Sequence, residues 1–245
     1  MIVYEIENSL EGVLTALFDS YLYKELPDLV TSSNRYQTRL DSVIREVKTD
    51  AEKVERVKRS VMKYSNEKTI DMARVVMHSS LLSKGTVTFN YLRKIIEEKR
   101  EIAYDLGSSE TVEFNEIRDK VWLENHRLKG FLRFSETTNG VLYAHVTPDN
   151  DIIELLVPHF VKRFKYHAFA IHDVRRNKLA LYDKKKVTFT TPTEPLSVYI
   201  GETEVECRSL WKNYFNSVNI PSRKNLRQQR GYLPSRYTSN MTEFN

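Results

Sequence analysis

Cysteine is almost absent from these 245 residues, with Cys207 standing alone. That excludes a disulfide framework and any self-contained iron–sulfur or cysteine-based zinc site, because each needs several thiolates. No metal and no cofactor of the chain's own is therefore expected, and redox or radical chemistry would have to come from a partner. Glycine and proline are also sparse, at 7 each, and no low-complexity tract stands out. No stretch approaches the roughly 18 consecutive apolar residues of a membrane span. The opening MIVYEIENSLEG lacks the basic-then-apolar pattern of a secretory leader, so a cytoplasmic protein with no membrane partner is expected. There is no Gly-rich phosphate loop, no G-x-S-x-G and no H-E-x-x-H, which leaves nucleotide hydrolysis, acyl transfer and zinc hydrolysis without support. The six histidines, at 78, 126, 145, 159, 167 and 172, are scattered.

What is present is positive charge, unevenly placed. The net charge is +5, yet residues 121–245 carry 19 Lys+Arg against 12 Asp+Glu, leaving the first 120 residues slightly acidic. Between Glu206 and Glu243 lie Arg208, Lys212, Arg223, Lys224, Arg227, Arg230 and Arg236 with no acidic residue among them. Arginine's planar fork suits phosphate, while Asn225, Gln228 and Gln229 offer hydrogen-bonding edges to bases or sugars. Tyr232 and Tyr237 add stacking faces. A solvated tail would carry the same composition, but Pro221, Gly231 and Pro234 punctuate the segment as turns of a docked one would. Charge interleaved with aromatics favours nucleic acid over an acidic protein, without separating DNA from RNA.

Hydrophobic spacing predicts an α+β protein. Residues 1–125 read as mainly helical: Leu10, Val13, Leu14, Leu17, Phe18 and Tyr21 recur at helical intervals behind a capping pair at Asn8 and Glu11. Thr49 and Glu52 repeat that pair before Val54, Val57 and Val61. From about Gly130 the period becomes 2. Residues 126–245 are expected to form an antiparallel β-β-α-β-β lobe ending in a helix and a basic segment, either a second domain or part of one integrated domain. Gly130–Ser135 and Gly140–Val146 read as one hairpin, and Ala168–His172 with Leu179–Tyr182 as another. In the final helix Cys207, Leu210, Trp211, Tyr214, Phe215 and Val218 form a stripe expected to be buried.

Candidate site residues fall mostly in this half. His126, Arg127, Lys129 and Arg133 sit at the expected helix-to-strand junction, where a strand would present Arg133 to a phosphate from an open sheet face. Arg175 and Arg176 occupy the second hairpin turn. His126, His172 and Asp173 are the candidates for acid–base work, although a structural or capping role suits His172 and Asp173 as well.

The segments Glu11–Tyr21, His126–Phe134, Gly140–Phe164, Ile171–Asp183 and Leu210–Phe244 together resemble a bacterial family assigned to DNA repair. Its members are encoded beside a radical-SAM protein or fused to a uracil-DNA glycosylase domain. HRLKGFLRF and IPSRKNLRQQRGYLPSRY carry the likeness most specifically, whereas residues 28–115 match little beyond helical character. Asn150 stands where the family often has histidine, which argues against a family-wide catalytic histidine there. Thr238 replaces a common aromatic after Tyr237, removing one stacking surface. The resemblance implies a DNA-binding accessory protein that presents DNA to a radical-SAM or glycosylase partner. A nucleic-acid-acting enzyme using His126, His172 or Asp173 is the second expectation, and an RNA-binding protein the third.

Overall fold

A computed structural model describes residues 1–33, 36–37, 40–193, 197–223, 225–238 and 241–244. Two compact units are present, Met1–Leu123 and Glu124–Asn245.

The first unit opens on a strand, where the sequence carries a short β-like run at Ile2–Ile6. β1 (Ile2–Ile6) leads into α1 (Leu10–Tyr23), and the chain returns as β2 (Leu29–Thr31) and β3 (Val43–Val47). β1 lies between the other two, and both pairings are parallel; α1 is the helical crossover from β1 to β2. Ser9 caps α1 through its Oγ, which accepts the Gly12 N–H at 3.0 Å. Asp50 caps α2 (Ala51–Tyr64) by accepting the N–H groups of Glu52 and Lys53 at 2.9 and 3.1 Å. The caps fall one residue after the expected Asn8 and Thr49, because neighbouring Ser, Thr, Asp and Asn all qualify as caps. α3 (Glu67–Met77), α4 (Lys84–Glu98) and the first part of α5 (Ser109–Phe131) complete this unit. Val13, Leu14, Leu17, Val61, Phe89 and Leu92 are buried in its core. Helices make up most of this unit, and to them the structure adds a three-stranded parallel sheet.

Gly85 lets α4 approach β2. A Cβ there would meet the Val30 carbonyl oxygen at under 3.0 Å, and the obstacle is backbone that cannot swing away. Gly85→Ala is expected to cost about 1–3 kcal/mol by overpacking, measured as a lowered denaturant midpoint.

In the second unit the sheet order is β4 (Ser135–Glu136), β5 (Leu142–Val146), β6 (Phe169–Asp173), β7 (Lys178–Tyr182), β8 (Val187–Thr190). α6 (Ile153–Arg163) crosses between β5 and β6 and makes them parallel, with His145 opposite His172, while the other neighbours are antiparallel. The wholly antiparallel expectation fails at that pair, since a helical connection returns the chain to the same end of the sheet. The expected strand at 130–135 is also corrected. α5 runs on to Phe131, and Leu132 still donates its N–H to the Leu128 carbonyl at 3.0 Å. α6 covers one sheet face, with Leu156 and Phe160 buried. Phe134 packs edge-on against Phe160, Phe164 and Phe169 at 5.0–5.9 Å.

α7 (Glu202–Val218) follows, then a 3-10 turn Pro221–Arg223, α8 (Leu226–Tyr232), α9 (Ser235–Thr238) and a second 3-10 turn Thr242–Phe244. The stripe expected to be buried on α7 is exposed: Leu210 retains 68% and Tyr214 57% of its accessible surface. Phe215 alone finds partial cover, against Phe244 at 6.1 Å. Periodicity says that one helix face is apolar but not what lies against it. No described helix is long and apolar enough to cross a membrane.

Candidate nucleic-acid interface

Two anchors hold the basic C-terminal segment. Tyr237 is buried, its hydroxyl donating to Glu124 Oε1 at 3.0 Å and its ring 5.8 Å from that of Phe131. Glu124 is itself buried and accepts the backbone N–H groups of Asp149 and Asn150 at 2.8 and 2.9 Å and the Asn150 side-chain amide at 2.7 Å. Sequence reasoning took Tyr237 for a stacking surface, and the structure makes it a peg. The second anchor is Glu243, which accepts from Arg133 Nη2 at 3.0 Å and from Trp211 Nε1 at 3.2 Å. Burial works to raise the Glu243 carboxyl, but backbone N–H, Arg133 and Trp211 hydrogen bonds outweigh it and hold the group below its ordinary value.

That depression has a pH consequence. Protonation favours the undocked segment, whose carboxyl titrates higher, so the contribution is fully present above about pH 4.5 and is lost as pH falls through the lowered folded value. Trp211 emission should therefore shift on acidification in wild type and far less in Glu243→Gln.

Ahead of the anchors, between α7 and Tyr237, the cations are displayed. Arg223, Arg227, Gln228 and Arg230 are exposed, and the three arginines have no carboxylate partner among the described residues. Arg227 and Arg230 lie three residues apart on α8, hence on one face. Asn225 is the N-cap of α8, its Oδ1 accepting the Gln228 N–H at 3.0 Å, which leaves only its amide nitrogen for a ligand. Arg236 lies in α9, and Lys224 falls outside the described residues.

The junction residues divide. His126 is exposed on α5, Arg127 is half-buried with no carboxylate partner among the described residues, and Lys129 is half-buried. Arg133 is not on a strand but in the turn after α5, where it donates to the Gly130 carbonyl at 2.8 Å as well as to Glu243. Arg175 is exposed, 3.5 Å from Asp149 Oδ1. Arg176 is committed inward. It donates to buried Asp173 at 2.9 Å through Nη1, to the Pro148 carbonyl at 3.1 Å and to the Asp149 carbonyl. Arg176, expected as a phosphate contact, is placed as a strut between β6 and the loop at Pro148 and Asp149.

His172 and Asp173, successive in β6, point to opposite faces. Asp173 is enclosed by Arg176, while His172 Nδ1 lies 2.9 Å from the Tyr143 hydroxyl and its Nε2 is buried without a partner among the described residues. Burial pushes the Tyr143 phenol up, so it keeps its proton at neutral pH. No cluster of three or more metal-ligating side chains occurs among the described residues.

Sequence reasoning missed a cleft of about 940 Å³ between α7 and the β4–β5 edge. Arg133, Arg163, Arg208 and Lys212 line it, with Glu204 as the one lining carboxylate among the described residues and Phe134, Tyr143 and Trp211 as aromatic surface. The start of α7 is pinned beside β4 by a bridge between Thr137 and Ile200 and by the Gly201 N–H donating to the Glu136 carbonyl at 3.0 Å. Arg208 donates to Glu204 at 2.9 Å, whereas Arg163 and Lys212 have no carboxylate partner among the described residues. A positive field is registered nearby: burial, then Lys129, Arg163 and Lys162, hold His159 below its ordinary value. Tyr143 and His145 alternate along β5, a signal that could have placed them on one sheet face. Arg163 and α7 are too far apart in sequence for their meeting to be read.

The second unit is thus a mixed α+β module with a cationic segment pegged across it and a cationic aromatic cleft. Residues 83–243, about two thirds of the chain, match the model of DUF4130, a domain of unknown function, and the chain belongs to that family. No match was found among curated proteins.

Proposed function

We propose that the protein is a DNA-binding accessory component that holds DNA for a repair enzyme acting in trans. The observation that carries this reading is the run of three guanidinium groups, Arg223, Arg227 and Arg230, without carboxylate partners among the described residues and followed by a segment anchored at Tyr237. Guanidinium groups left unneutralised on an ordered support suit phosphate, since neither fold stability nor an internal ion pair uses them. The resemblance noted above supplies the context: a radical-SAM protein or a glycosylase is the partner enzyme, and DNA repair the process.

An enzyme acting through the cleft is the second reading, favoured by the hydrogen bond between Tyr143, on its wall, and His172. His126 and Asp173 do not join that pair. Purified protein is to be incubated alone with uracil-containing, abasic and undamaged oligonucleotides, single- and double-stranded, beside RNA of the same sequence. The accessory reading expects DNA bound without turnover and a complex with the radical-SAM protein or glycosylase on size exclusion. Turnover abolished by Tyr143→Phe would establish the enzyme instead, and preference for RNA would transfer the binding role to that ligand.

A further inference from the structure

We propose that the cleft between α7 and the β4–β5 edge is a binding site for a nucleoside phosphate, seated with its base against Trp211 and Tyr143 and its phosphate on Arg163 and Lys212. The site lies apart from the exposed arginines of α8 and goes beyond the duplex contact proposed for them.

Size is the first argument. At about 940 Å³ the cleft falls in the range of sites for whole organic ligands, ~300–1,000 Å³, and a lone inorganic anion would leave most of it unfilled. Charge is the second. Arg208 is matched by Glu204 and Arg133 by Glu243, so Arg163 and Lys212 remain as two cations with no carboxylate against them among the described residues. A singly or doubly charged phosphate matches that surplus. The third is the character of the walls. Trp211 keeps 43% of its surface accessible even with its Nε1 tied to Glu243, so that a ring face is held in place yet open. An immobilised aromatic face is what stacks a base. The Tyr143 hydroxyl and Ser135, which takes a hydrogen bond from Arg208 at 2.5 Å, interrupt the apolar lining. Polar groups on the wall suit the polar edge of a base better than an acyl chain, which would bury them against hydrocarbon and add no hydrogen bond.

The chain contains two tryptophans, Trp122 and Trp211. Trp122→Phe therefore leaves Trp211 as the sole reporter, and Cys207, which lines the cleft, serves as a second one through its rate of alkylation. Titration with the four ribonucleoside 5′-monophosphates should quench Trp211 and slow Cys207 alkylation for at least one of them. The corresponding nucleoside and inorganic phosphate should each bind about ten-fold or more weakly, as loss of charge-assisted bonds requires. R163Q/K212Q should weaken the nucleotide by a similar factor while leaving the circular dichroism spectrum unchanged. Oligo(dA) quenching at lower nucleotide concentration than 5′-dAMP would assign a nucleotide carried on a strand, and the reverse a free one. Absence of quenching by both at millimolar concentration would overturn the site, as would quenching indifferent to R163Q/K212Q. The variant R223A/R227A/R230A should keep mononucleotide quenching intact. Failure of the cleft and failure of the α8 contact thereby give separate results, and quenching lost with the three arginines would place the ligand on α8 and sink the cleft proposal.

Discussion

Replacing Arg223, Arg227 and Arg230 together by alanine should flatten the dependence of log affinity on log salt by about 2.7 for duplex DNA, since each phosphate contact releases counterions worth roughly −0.9 in that slope. On a single strand the same three contacts carry about −0.7 each, and the change should be near 2.1. The expected effect is large. Raising salt from about 50 to about 200 mM should cost the wild-type protein about 40-fold more duplex affinity than it costs the variant. All three side chains are exposed and make no ion pair among the described residues, so their removal should leave the fold intact. Phosphate contacts position the protein without reading bases, so weakening should be uniform across sequences. Gln228→Ala is the complementary test, because its exposed amide is free to touch a base edge and its loss should alter preference more than overall affinity. Circular dichroism and affinity at five salt concentrations decide the matter. A folded triple variant with an unaltered slope would return the segment to the role of a solvated or protein-docking strip.

The peg at Tyr237 explains why a stretch so polar holds a defined course. A segment of this composition has little apolar surface to bury and would otherwise remain solvated. Burial of Tyr237 and Met241, with the Glu243 contacts, supplies docking at one end, and continuity with α7 supplies it at the other. The cations between are held up by residues that bear no charge themselves or whose charge is matched. Sequence alone could not assign Tyr237, because an aromatic among arginines serves equally as stacking face or anchor until its neighbours are known. Glu124, its partner, is 113 positions away.

Legibility followed the range of the interactions involved. α1 and α2 were evident from Leu10, Val13, Leu14 and Leu17 and from Val54, Val57 and Val61, all buried, since helical bonds and amphipathic stripes are local. Of the first unit's parallel sheet only β1 was, from its short β-like run. β2 has three residues and β3 shows an exposed majority, so neither carries the apolar alternation that marks a strand. At 130–135 a window of six residues satisfies both periods, and the buried pair Leu128 and Leu132, four apart, settles it in favour of a helix continuing to Phe131. β6 and β7 were found because Asn177, with φ 51°, sits in a turn flanked by clear alternation. Of the candidate site, the α8 arginines were visible as composition. The cleft was not, since it joins Arg163, Tyr143 and Trp211 from three separate elements.

Arg176 yields the largest expected loss of stability. Asp173 has none of its surface accessible, and Arg176 is its partner through both the guanidinium and the backbone N–H. Arg176→Met removes the cation and leaves the carboxylate buried, which should cost about 3–5 kcal/mol, because the penalty is that of an uncompensated charge rather than of one lost bond. The carbonyls of Pro148 and Asp149 lose their donor at the same time. Asp173→Asn in the same chain removes the stranded charge while its side-chain oxygen can still accept the Arg176-position N–H. The double variant D173N/R176M should therefore be more stable than R176M alone. Such a gain from a second substitution is the signature of a coupled pair and appears directly in a double-mutant cycle. Chemical denaturation of the four proteins measures it, and DNA affinity at fixed salt assigns the role. Stability unchanged in R176M together with weakened DNA binding would restore Arg176 to the phosphate contacts. A destabilised R176M, with a D173N/R176M double variant that binds DNA as tightly as wild type, would fix Arg176 as the strut that holds the loop at Pro148 and Asp149 against β6.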